Sequence, residues 1–170
     1  MKKKGISSYY ITLMLILQVF GATIPVSAIT ETQKNAIYDH CEAIRDNLKD
    51  LQRSDSRVRV QLGRYYETIL SKFIVPLNVR LVENNLPGSG LINNQNDFNA
   101  TRSSFIDSYI DYQKGLEELT LFDCKAEPER FYEKLVEVRA KRATVAEKTA
   151  KLKKLAGAQV KLVQELETKL

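Results

Sequence analysis

The chain has no tryptophan, one histidine, two cysteines, four prolines and seven glycines in 170 residues. A zinc centre needs four clustered ligands, or three and a water, which one His and two distant Cys do not offer. Few Pro and Gly beside 44% hydrophobic residues exclude collagenous, disordered and loop-rich disulfide-scaffold classes. No alternating apolar run is long enough for a strand. A glycine-rich phosphate loop therefore has no strand to follow, and Gly88-Ser89-Gly90 reads as a turn. The length allows one domain, with at most a tail.

What the N-terminus does have is an address. Lys2, Lys3 and Lys4 precede an apolar stretch from Ile11 to Ile24, interrupted by Gln18. Pro25 then breaks it, and Val26-Ser27-Ala28 places small side chains where a signal peptidase reads them. An apolar core of roughly 10–14 residues suits export and falls short of the ~20 that span a bilayer. We expect residues 1–28 to be a signal peptide cleaved after Ala28, with an uncleaved anchor as the alternative, and residues 29–170 to be the domain. Three of the 26 basic residues and none of the 21 acidic ones fall in 1–28, so the remainder carries a net +2 instead of +5. The protein is expected outside the cytoplasm, secreted or at the cell envelope.

From about Gln33 the apolar residues step by three and four. Ile37, Cys41, Ile44, Leu48, Leu51, Val58, Leu62, Tyr65 and Ile69 form a stripe interrupted only by Asp55, and Phe73, Leu77 and Leu81 continue it. The period is that of a helix, close to a coiled-coil seam. Pro76 predicts a kink or weakened turn. Asn84 to Gly90 ends the helix, and the Asn-rich 92–97 suggests that the second helix resumes only near 97, because Asn side chains compete for backbone hydrogen bonds. Its stripe is Phe98, Phe105, Tyr109, Tyr112, Leu116 and Leu119, with Arg102 at one position. Pro128 suits the first position of a third helix, with Glu127 as a weak cap. There Arg142, Thr149 and Gln159 occupy seam positions, where polar residues fix register at a cost in stability. The pattern predicts an all-α fold, an elongated antiparallel three-helix bundle or coiled coil, with helices at about 33–84, 97–122 and 128–168. The third helix should start beside residue ~45 and overhang the others, leaving Leu155, Leu162, Leu166 and Leu170 for a partner helix or self-association.

In an exported chain two cysteines are expected to pair. A Cys41–Cys124 bridge needs the second arm to gain about 16 Å, of which an extended 90–97 would supply roughly 12 Å and a non-helical 122–124 the rest. His40 beside Cys41 is not a catalytic pair, because helix neighbours diverge by about 100°. No catalytic residue, cofactor site or metal site is expected, and we expect no enzyme.

Charge is the uneven feature. A third helix parallel to the first would set Arg139, Lys141, Lys148, Lys151, Lys153 and Lys154 against Arg57, Arg59 and Arg64, a candidate anion-binding belt that the acidic second helix partly neutralises. It would suit an anionic envelope polymer or membrane surface. No aromatic residue interleaves the basic cluster, which disfavours nucleic acid.

The layout resembles a group of uncharacterised, signal-peptide-bearing helical proteins of reduced-genome bacteria. The likeness lies in a Cys near the start of a long first helix and a turn before a Phe- and Tyr-rich second one. A second Cys then precedes a third helix reading Phe131-x-x-x-Leu135-x-x-x-Arg139. Lys125 and Glu127 stand where that group usually has Gly and a Ser cap. The resemblance implies a two-Cys, three-helix fold and no activity. The expected function is a non-enzymatic structural or interaction protein acting through helix faces, with a small holdase-like envelope chaperone or a signal-anchored surface protein as alternatives.

Overall fold

A computed structural model describes residues 29–168. The chain divides into Met1–Thr30 and Glu31–Leu170. Of the first unit only Ile29 and Thr30 are described, and the expected signal peptide lies outside the described residues, as does Leu170. The second unit comprises α1 (Glu31–Thr68), a π-helical turn (Ile69–Ile74), α2 (Val75–Glu83), α3 (Ser89–Leu121) and α4 (Pro128–Glu167). Helices α1 and α2 with the turn between them form one arm, antiparallel to α3, and α4 returns antiparallel to α3. This is the all-α, antiparallel three-helix bundle, with no strand among the described residues.

The irregularity expected at Pro76 takes the form of the π turn, which ends two residues before it. Proline has no N–H for the carbonyl four residues back and its ring crowds that carbonyl, so the preceding turn widens. The first arm then ends in a Schellman motif. Asn85 adopts φ 53°, Leu86 N donates to Leu81 O at 2.9 Å, and Asn85 N donates to Val82 O at 3.2 Å. Asn tolerates this left-handed conformation better than other side chains except Gly. Leu86 packs with Leu81, Leu91 and Leu166 into a small apolar cluster at this end.

The second helix starts at Ser89, not near 97. The Asn side chains do not compete with their own backbone because other helices engage them. Asn94 Nδ2 donates to Leu155 O at 3.2 Å and to Gln159 Oε1 at 2.7 Å across to α4. In the same manner Asn78 Nδ2 on α2 reaches Leu91 O at 3.2 Å and Gln95 Oε1 at 2.7 Å on α3. With α3 helical from Ser89, the last turns of α4 are covered rather than overhanging. Leu166 is buried at 8% exposure, and Leu155 and Leu162 are half-buried against the core clusters.

Cys41 and Cys124 are disulfide-bonded, with Cα atoms 5.7 Å apart. The missing length does not come from 90–97. It comes from a turn centred nearer residue 86 and, as expected, from the non-helical 122–124, where helix gives way to extended chain (Phe122 ψ 140°). Each extended residue covers about 3.3 Å in place of 1.5 Å. Past the bridge, α4 begins beside Lys34, which pairs with Glu129, not beside residue 45. Glu127 stands at the cap position without a capping bond and pairs with Arg130 at 3.1 Å.

Helices α3 and α4 approach closely where Gly115 faces Val138. A Cβ on Gly115 would lie 3.2 Å from Val138 Cγ2, whereas one on Gly63 or Gly157 would meet nothing within 4 Å. Gly63→Ala and Gly157→Ala should each stabilise the fold by about 0.5–1 kcal/mol, the helix-propensity difference. Gly115→Leu should instead destabilise by about 1–3 kcal/mol through overpacking. Urea denaturation of the three variants checks the contrast, and equal effects would refute the close approach.

Candidate functional site

The core half of the site is an aromatic ladder. Tyr66 packs edge-on to Phe98 and Phe105, with ring centroids at 5.9 and 6.4 Å, and Phe105 leads on to Tyr109 and Tyr112. With Leu70, Ile74 and Leu152, the rings of Tyr66, Phe98 and Phe105 form a buried cluster. Of the stripe read from the sequence, Ile37, Cys41, Leu48 and Leu81 are buried. In the middle of the arm the buried face is Tyr66, Leu70 and Ile74, one residue round from Tyr65, Ile69 and Phe73. Steps of four exceed 3.6 residues per turn, so the stripe rotates, and the π turn lets Leu70 and Ile74 both face inward.

The displaced stripe remains outside. Tyr65 is 58% exposed, Phe73 65% and Val58 48%. They wall a groove of about 1540 Å³ between the first arm and the second half of α4. The floor carries Tyr66, Ile74, Phe105 and Tyr109, and the α4 wall includes the small residues Ala146, Ala150, Ala156 and Gly157, followed by Val160 and Val163. Small side chains leave a gap between these two parallel helices that neither fills.

One end of the groove is closed by a polar cluster joining all three helices. Arg142 binds Asp55 with two hydrogen bonds, at 2.9 and 3.1 Å, and Tyr112 Oη donates to Asp55 Oδ2 at 2.8 Å. Burial alone would raise the Asp55 carboxyl, but the bonds from Arg142 and Tyr112 outweigh it and hold it below its ordinary value. Burial, and then the bond to Asp55, push the Tyr112 hydroxyl well up. Asp55 thus accepts three of the roughly four hydrogen bonds open to a carboxylate, from a guanidinium and a phenol on two other helices, and the cluster braces α1, α3 and α4.

Of the nine residues of the expected belt, the groove gathers Arg59 and Lys153. Arg59 lies over the Tyr109 ring at 5.1 Å. Arg64 lines a smaller cleft towards α3, where Arg102 pairs with Glu67. Lys141 pairs with Asp111 at 3.3 Å and Glu137 at 2.9 Å, and Lys148 with Glu147 at 3.5 Å. Arg57, Arg139, Lys151 and Lys154 are exposed. The groove also takes in Lys72, which belongs to the basic stretch of the first helix, and Arg80, which lies beyond it. Charge along the sequence could not outline the groove, because the groove depends on which of two adjacent apolar positions turns inward.

Cys41 is bonded to Cys124, so neither sulfur is a nucleophile. Among the described residues no group of three His, Cys, Asp or Glu could hold a metal ion, and no helix is long and apolar enough to cross a membrane. Comparison with family models, curated proteins and solved structures finds no match for this chain.

Proposed function

We propose that this protein is a non-enzymatic interaction protein, exported by a signal peptide cleaved after Ala28, that acts outside the cytoplasm by docking a partner in the groove between its first arm and α4. On this reading it belongs with the exported two-Cys helical proteins whose layout it resembles. The observation that carries the proposal is the exposed wall of Val58, Tyr65 and Phe73 opposite Val160. Aromatic residues clustered beside unpaired Arg are the composition of binding hot spots. The disulfide supports an oxidising compartment.

The test has two parts. Chain recovered from outside the cytoplasm should begin at Ile29 by mass and show no free thiol; a chain beginning at Met1 with two free thiols overturns export. A photo-crosslinking residue at position 73 should give one discrete protein adduct in the producing cells, and the same residue at Ile110, exposed on α3, should give none. A holdase would instead yield a smear of client adducts at 73, and no adduct from either position removes the docking role.

A further inference from the structure

We infer that the occupant of this groove is an amphipathic α-helix of a partner protein whose apolar seam is flanked by Asp and Glu. The inference rests on the groove being a docking site and names what fits it.

Length and section come first. The walls run from Asp55 to Arg80 and from Arg142 to Glu167, roughly 26 residues or about 38 Å of helix each. Spread over that length, the 1540 Å³ corresponds to about 40 Å² of section, close to half that of a helix 10–12 Å across with its side chains. A helix sunk to its equator would fit. A small ligand or single lipid is mostly enclosed, in a site of about 300–1,000 Å³. This groove is larger, and the exposure of Tyr65, Phe73 and Val160 shows it open along its side. Ala146, Ala150, Ala156 and Gly157 let a further helix backbone approach α4 closely. With α3 as the floor, the added helix completes a four-helix bundle.

Charge sets the second property. The groove carries Arg59, Lys72, Arg80 and Lys153 in no ion pair, while Arg142 is consumed by Asp55. Among the described residues, the other acids lining it are Asp55, held by Arg142, and Glu167. Such a lip favours acidic residues flanking the apolar seam of the incoming helix and repels basic ones.

Two designed 25-residue peptides with the same leucine seam, one flanked by Glu and one by Lys, are the probes, read by fluorescence anisotropy against the disulfide-intact chain. The Glu peptide should bind at least tenfold more tightly than the Lys peptide, with the gap narrowing as salt rises. Lys72, Arg80 and Lys153 have no ion pair to lose, so a K72E/R80E/K153E variant should fold normally and invert the preference. Phe73→Asp, at a solvent-exposed position, should weaken both peptides at least tenfold without changing the melting temperature. Equal binding of the two peptides, binding of neither, or binding of phosphatidylglycerol vesicles alone with the same sensitivity to Phe73→Asp would overturn the inference. If the peptides fail while the position-73 protein adduct persists, the docking role stands and only the acidic helix is rejected.

Discussion

Replacing Cys41 and Cys124 together by alanine is expected to lower unfolding free energy by about 4 kcal/mol. The bridge closes a loop between residues 83 positions apart, for which chain entropy gives roughly 4–5 kcal/mol, with measured values often lower. Both side chains are buried, at 2% and 0% exposure, so alanine leaves a small void but no stranded hydroxyl. Geometry adds to the effect. Before Asp55, the buried apolar residues of α1 besides Cys41 are Ile37 and Leu48, while α3 and α4 hold each other along their whole length. Arg45 Nε donates to Thr120 O at 3.1 Å, and Lys34 pairs with Glu129, but exposed pairs of that kind contribute little. Without the bridge the stretch 31–48 should open first. For a domain of this size the melting temperature should fall by about 10–15 °C. Calorimetry of wild type with and without reductant, beside the double variant, checks it. A reductant-insensitive transition, or a loss under 1 kcal/mol, would refute the clamp.

The pairing of those cysteines was legible because exported chains leave few alternatives, but the route to it was not. The Asn-rich 92–97 looked irregular since Asn competes with the backbone when its side chain has no other partner. Here Gln159 and the Leu155 carbonyl supply the partner for Asn94, a contact between residues 61 to 65 apart that no local pattern contains. The same non-local pairing explains the polar residues in the seams. Asp55, Arg102, Arg142 and Gln159 each interrupt an apolar stripe on its own helix, and each finds a polar partner on another. Period identified the helices and their number. It could not decide between Tyr65 and Tyr66, or between Phe73 and Ile74, because adjacent apolar residues fit a drifting stripe equally well. Packing against Phe98 and Phe105 decides it, and the groove is the remainder.

The Asp55 cluster carries the second large effect. Asp55→Ala is expected to cost about 3 kcal/mol at neutral pH, because it removes charge-assisted hydrogen bonds and strands the Tyr112 hydroxyl. Tyr112 is 1% exposed, so that hydroxyl has little water to turn to. Tyr112→Phe, which removes donor and need together, should cost only about 1 kcal/mol. A cycle of Asp55→Ala, Tyr112→Phe and the pair should therefore show strong coupling. The effect must also depend on pH. A carboxyl held below its ordinary value near 3.9 contributes stability that is fully present above that value and is lost as pH falls through the folded-state one. Wild type should lose its advantage over Asp55→Asn in that acid window, while the difference stays constant from pH 5 to 7. A wild-type advantage that persists unchanged to pH 2 would mean that Asp55 is not the charged brace between α1, α3 and α4. The position matters beyond stability, since Asp55 and Arg142 close the end of the groove. Loosening them should widen the gap between the first arm and α4, and so weaken a docked helix at the same low pH that weakens the fold.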